Sequence, residues 1–479
     1  MRHLIITFVS AMLVTSCVDS LDDYNIDQKR PSLAPAETFF TASMKQLADV
    51  LTTPNVNTNN FRLYVQQWAT TTYLQEPRYD LTSRIIPQNI WQALYKDVIA
   101  DLREAKRLLE EDELLPAEDK TTRLAQVEVV EVYAWFVLVT TFGDVPYSQA
   151  MDFQNPVPAY DDDATIYADI LERLDVALGS LSAGGNGFDN ADVLYDGDLD
   201  QWVKFGNSLK LKLGMLLADV DTGKAKGIVE AAATNVFTDN ADNARFPYLS
   251  APPNNNPLSA NLNPAFSSRQ DYVVASVIID KLNALNDPRR PFYFTTVNGE
   301  YKGGNYGFAN AYGDFSHTSN KTIAPDFEAL LLDYSEVEFL LAEAVERGFA
   351  VGGTAEEHYN KAIEASIVYW GGSSGDAATY LGQPSVKYTS APGNFKEKIG
   401  VQKWIALYNR GIDAWTEWRK FDYPVLLPPS GGSVPVGLSI PVRIIYPINE
   451  QTLNGVNREA AAAAMGGDVA STKLFWDVN

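Results

Sequence analysis

The chain has 479 residues, 46% of them hydrophobic and 21% charged, and its formal net charge is −23. That balance describes a globular protein rather than a disordered one, large enough to build a core without disulfide or metal staples. The acidity argues against nucleic acid as a partner, and the single cysteine, Cys17, excludes an internal disulfide.

The N-terminus opens on Met1-Arg2-His3, continues through an apolar run from Leu4 to Val14, and reaches the small residues Thr15-Ser16 before Cys17. This is the layout of an export signal, and Val14-Thr15-Ser16-Cys17 resembles a bacterial lipobox. The expectation is a signal peptide over 1–16, a lipid on Cys17, and a flexible tether over 17–35. Asp19, Asp22 and Asp23 resemble the acidic export signals of surface lipoproteins in Bacteroidota. The apolar run is shorter than the ~20 residues a membrane span needs. Val127 to Phe142 is interrupted by Glu128 and Glu131, so it reads as a buried helix. Several acyl chains would hold such a protein stably at a membrane, where one chain binds only marginally.

Helices dominate the remainder, read as a single domain over 36–479. Trp91, Leu94, Tyr95, Val98, Ile99, Leu102, Ala105, Leu108 and Leu109 place an amphipathic helix over 89–109. A second is predicted over 124–142, stopped by Gly143-Asp144-Val145-Pro146. Asp161-Asp162-Asp163 precedes a third over 164–181. It reads as an acidic helix start suited to the helix dipole rather than as a metal site. Trp202 to Val220 is a fourth. From Phe246 to Pro264 the chain is rich in Pro and Asn, and from Thr295 to Thr318 it alternates Gly, Tyr, Asn and Phe. Both stretches are predicted as loop, the second with a short hairpin, and loops on a rigid scaffold commonly carry function.

Val337, Leu340, Leu341 and Ala344, then Ala355, Tyr359, Ala362, Ser366 and Tyr369, form two apolar stripes that resemble a tetratricopeptide helix pair. Such pairs need neighbours to bury their faces, which the earlier helices supply. A further helix is predicted from Lys398 to about Arg419, and the C-terminal part, with Pro441 to Pro447, Ala460 to Ala464 and Phe475-Trp476, as an irregular coat with a short helix. The fold class is therefore mainly α: a superhelix of tetratricopeptide-like pairs with a loop-rich irregular face.

The search for chemistry returns little. The chain has three His; His3 leaves with the signal, and no spacing pairs His317 with His358. No nucleophile-elbow, metalloprotease or P-loop motif is present. Asp196, Asp198 and Asp200 begin like a calcium loop, but Gln201 stands where Gly is required and Asn207 where a bidentate Glu belongs. They read as the acidic start of the Trp202 helix, with no cofactor expected beyond a structural calcium ion on surface oxygens. Among 61 Asp and Glu, Glu336 with Glu338 and Asp413 with Glu417 are close in sequence. Asp413 and Glu417 stand beside Arg410 and Arg419, which points to salt bridging rather than to the carboxylate pair of a glycosidase. No residue is assigned a catalytic role.

Longer strings carry a family resemblance: Trp68-Ala69-Thr70-Thr71-Thr72-Tyr73 with Glu76 to Asp80, Phe142-Gly143-Asp144-Val145-Pro146-Tyr147, Asn155 to Pro158, and Phe205-Gly206-Asn207-Ser208-Leu209. It continues in Asn286-Asp287-Pro288-Arg289, Glu336 to Ala344, Gln402 to Leu407, Trp415 to Arg419, and Tyr446-Pro447 with Glu450 and Asn454. In this order, across nearly the whole chain, they resemble SusD/RagB-type lipoproteins. The resemblance implies an outer-membrane lipoprotein facing the cell exterior. It would capture nutrient, usually a glycan, and work with a SusC-type TonB-dependent transporter. The alternatives are a peptide cargo and, less favoured, a surface glycosidase. Trp418-Arg419-Lys420 and Phe475-Trp476 depart from the family's frequent Arg-Arg and Trp-Trp. Ligand residues vary with substrate in this family, so the candidate sugar-stacking rings come from the residues themselves. They are Trp68, Tyr73, Tyr79, Tyr301, Tyr306 and Tyr312, all in or beside polar loops.

Overall fold

A computed structural model of the protein describes residues 34–152 and 154–479. Cys17, the signal and most of the tether lie outside the described residues.

Helix α1 (Ala36–Thr52) packs on α2 (Ala100–Glu111). The 89–109 expectation resolves into three connected pieces: a helix over Ile86–Gln92, a π-helical segment over Ala93–Ile99, and α2. Helix α3 (Ala117–Phe142) begins seven residues before the predicted start, behind Pro116. Its first turn is exposed, so the apolar pattern that reports burial starts only farther in. This helix is long and apolar enough to cross a membrane, yet 89% of its apolar window is buried in protein. Glu128 and Glu131, which interrupt it, pair with Lys106 and Arg173.

Packed helix partners then follow in sequence. They are α3 with α4 (Asp163–Leu181), α5 (Leu199–Leu216) with α6 (Thr222–Ala232), α7 (Tyr334–Glu346) with α8 (Ala355–Trp370), and α9 (Phe395–Ala406) with α10 (Gly411–Phe421). Helix α4 also meets α5, α5 meets α7, and α7 meets α9, so each pair leans on the next. This is the stacked helix-pair architecture the stripes implied. The expected single helix from Lys398 to Arg419 is broken. Asn409 takes a positive φ, and Gly411 sits so close to Arg62 that an added Cβ would lie 2.7 Å from its backbone nitrogen. The break turns Arg410 back onto α7.

Charges tie the pairs together. Buried Glu336 pairs with Lys212 at 2.9 Å and accepts from Arg410 at 2.7 Å. Asp413 pairs with the same two cations. Lys403 pairs with Glu417 at 2.9 Å, and Lys420 with Glu343 at 2.5 Å. Arg419 does not pair with Glu417. Its guanidinium lies over the rings of Trp415 and Trp476 and donates to the carbonyls of Thr140 and Val442.

Two short ribbons complete the fold: β1 (Trp68–Thr70) with β3 (Tyr272–Val274), and β2 (Ala244–Phe246) with β4 (Ala329–Leu332), both antiparallel.

Candidate functional site

The β1–β3 ribbon carries the loop face. Its register sets Trp68 opposite Val274, Ala69 opposite Val273 and Thr70 opposite Tyr272. Side chains alternate across a strand, so Trp68 and Tyr272 lie on one face, their rings 5.0 Å apart. Ala69, Val273 and Ala275 make the other face, and Tyr312 and Phe315 pack over these small residues.

The glycine-rich loop reaches the ribbon because it contains no bulk at the crossing. An added Cβ on Gly303 would lie 2.2 Å from the Ser276 Cα, and Gly304 bridges Ala275 in parallel. Asn310 staples the loop in place. Its amide donates to the carbonyls of Thr70, Asn305 and Phe308 at 2.8–3.0 Å, and its Oδ1 accepts from Asn305 N–H. The predicted hairpin is a single tight turn, with Val297 and Glu300 exchanging hydrogen bonds around Asn298-Gly299, both at positive φ.

The Tyr312 ring stacks on His317 at 3.7 Å between centroids and 12° between planes. His317 Nε2 meets the Tyr312 carbonyl at 2.7 Å. Burial lowers the imidazole pKa against that bond, so the ring is neutral at pH 7 and Nε2 carries the proton.

The six predicted rings do not form one platform. Trp68 is 2% exposed, with its indole N–H directed to the Tyr408 hydroxyl at 3.3 Å, and Tyr306 is 7% exposed. Neither presents an open face for a sugar, because both close their own loops against the core. Tyr79 is half-buried beside Tyr64 in a left-handed conformation, and burial raises its hydroxyl to about 12. Tyr73 is half-buried under the Arg84 guanidinium, 4.5 Å from its ring, and Tyr301 lies beside Arg290. Trp68 and Tyr312 are brought together, lining one small recess at the ribbon edge with Leu262, Tyr272, Val273, His317, Thr318 and Ile323. Sequence reasoning passed over His317 and Asn310. The signal for His317 was its place in the same Tyr- and Gly-rich loop as Tyr312.

The carboxylates offered as possible acid pairs are engaged elsewhere. Glu336 lies in the Lys212–Arg410 cluster, and Glu338 accepts from His358 Nδ1 at 2.6 Å. Asp413 and Glu417 are paired with cations as well. Asp198 caps α5 through the N–H groups of Asp200 and Gln201, and Asp162 caps α4 through Thr165 N–H. Among the described residues, Asp144, Asp162 and Asp163 are the carboxylates close enough together to share a cation. Burial pushes Asp144 up to about 6, and burial with the Asp144 charge pushes Asp163 to about 7.

Residues 28–447 match the family model described as SusD-like, starch-binding associating with outer membrane. The chain belongs to the SusD-like family. Its fold is shared with solved members. One, a chitin-binding protein, is 26% identical over 93% of this chain and 100% of its own, with a TM-score of 0.78. A SusD homologue from Bacteroides thetaiotaomicron is 25% identical with the same coverages and a TM-score of 0.77. A chitin-binding SusD homologue from Flavobacterium johnsoniae, 24% identical over 93% of this chain and 99% of its own, shares the fold at a TM-score of 0.77. No curated protein sequence matches. The family is one of binding proteins rather than enzymes and is associated with the outer membrane.

Proposed function

We propose that this protein is a glycan-capturing lipoprotein of the outer cell surface, held by lipid on Cys17, that delivers its cargo to a SusC-type TonB-dependent transporter. The family match over residues 28–447 carries the reading. Relatives named for chitin binding support a glycan cargo. The half-buried rings on a stapled loop support capture by stacking, since sugar C–H faces pack on aromatic faces and stacked contacts need a rigid ring.

The test has two arms. Affinity purification of the protein from membranes should bring down a large outer-membrane barrel, and Cys17→Ser should release the protein and abolish palmitate labelling. Recovery of the wild-type mature chain free in the periplasm would overturn the surface assignment. Calorimetry against oligosaccharides and against peptide mixtures should give heat with oligosaccharides. A peptide-only response would transfer the site to peptides.

A further inference from the structure

Where residues 81–88 meet residues 445–468, the fold leaves a cavity of about 170 Å³. None of the six candidate sugar-stacking rings lines it. Leu81, Ile85, Pro87, Ile445 and Ile448 form its apolar walls. Ile85 and Ile448 are 54% and 60% exposed, so they stand at its opening. An apolar cavity of roughly 150 Å³ takes up benzene. This one therefore holds an apolar group the size of a single six-membered ring.

Two polar side chains in the same lining have donors to spare. Gln88 is 9% exposed, and its amide bonds to no described residue, with Oε1 enclosed and unpartnered. A polar side chain buried this far is normally hydrogen-bonded. Arg458, on the short helix Gly455–Ala464, makes one side-chain bond, from Nη2 to Asp468 at 2.5 Å. Its Nε is enclosed, and its Nη1 donates to no described residue. Asp468 also accepts from Arg443 at 2.8 Å and from the Tyr446 N–H at 3.0 Å, so one carboxylate serves two guanidinium groups. That arrangement leaves positive charge and an open donor on Arg458, which suits a carboxylate. A sugar ring would lose the hydration of its hydroxyls against the apolar walls. A neutral hydrocarbon would leave Arg458 and Gln88 unanswered, and a cation would be repelled.

We propose that this cavity is a second binding site, for a monocarboxylate whose apolar part is the size of one six-membered ring. The ring lies among Ile85, Ile445 and Ile448, and the carboxylate meets Arg458 and the Gln88 amide N–H. This goes beyond glycan capture on the loop face and does not depend on it.

Isoleucine-methyl NMR on the full mature chain, titrated with benzoate, tests the site. Benzoate should shift the methyl signals of Ile85, Ile445 and Ile448 and leave most other isoleucines in place. Benzyl alcohol carries the same ring without the charge. It should bind at least about tenfold more weakly, as expected for loss of a hydrogen bond to a charged group. Acetate, the charge without the ring, should produce no shift at the same concentrations. These three titrations use the unmodified protein, so they do not depend on any variant's folding. Arg458→Gln should lower benzoate affinity to that of benzyl alcohol and leave benzyl alcohol affinity unchanged, a split that a general loss of structure would not produce. Ile448→Trp, at an exposed position, should close the opening and block both ligands. Equal affinities for benzoate and benzyl alcohol, shifts confined to other isoleucines, or no shift in millimolar benzoate would overturn the site.

Discussion

The stacked helix pairs and the ribbon-borne loop face solve the same problem differently. Both bury polar groups that would cost several kcal/mol if left alone. Between the pairs, charge meets charge: Lys212, Arg410, Glu336 and Asp413 form one enclosed cluster, and Lys403–Glu417 and Lys420–Glu343 extend it. On the loop face a neutral amide, Asn310, does the fastening, and rings are left half-exposed. The acidic side chains of this cluster therefore serve architecture, and the loop face offers half-buried rings, two of them beside the guanidinium groups of Arg84 and Arg290. The same division removes the main support for a carboxylate-pair hydrolase, because Glu336, Glu338, Asp413 and Glu417 all hold cations.

Substitutions can break this contrast in order of expected effect. Glu336→Ala leaves Lys212 with Asp413 alone, and Arg410 with Asp413 and Asp333. Removing one partner of a buried ion cluster costs about 3–5 kcal/mol, so urea unfolding should shift strongly. A shift below about 1 kcal/mol would show that the cluster does not hold the pairs. Asn310→Ala removes three donated bonds and leaves the Asn305 carbonyl only its bond from Phe308 N–H, at about 1–3 kcal/mol. Hydrogen exchange should accelerate over 301–318 while the helices keep their protection. Uniform loss of protection would mean that the two regions are not separable. Tyr312→Ala should weaken oligosaccharide binding about tenfold, in line with ring contacts of order 1 kcal/mol, with little change in unfolding midpoint.

The smallest effect concerns pH. In His358, burial opposes the charge, but Glu338 at Nδ1 and the Gly352 carbonyl at Nε2 outweigh it and raise the pKa above 6.5. The folded state then binds the proton more tightly than the unfolded chain. That stability is fully present below pH 6.5 and is lost as pH rises through the folded pKa. Glu338→Gln should flatten this part of the stability profile. An unchanged slope would assign it to other groups, Asp163 first, since its raised pKa acts in the same direction.

Much of the scaffold was legible in the chain. The i, i+3, i+4 stripes located the α7–α8 pair and the helical run over 89–109 because burial on one face leaves a 3.6-residue period, whereas α1 and α6 were not predicted. Boundaries slipped where burial and helicity part company, as in the exposed first turn of α3. The break at Asn409–Gly411 was invisible because the apolar pattern continues across it. Only the Arg62 backbone and the Arg410 cluster, brought in from far along the chain, require the turn.

Sequence alone determined the family, the mainly helical class and the loops worth inspecting, because periodicity, glycine content and motif order are local properties. Whether an aromatic side chain in such a loop faces solvent or core is not local. Trp68 and Tyr306 face inward, and Tyr312 lies over a patch of small residues with His317 stacked on it. Strand register and the loop crossing at Gly303-Gly304 set those orientations. The register joins residues some 200 positions apart and the crossing joins Gly304 to Ala275, and no local pattern records either.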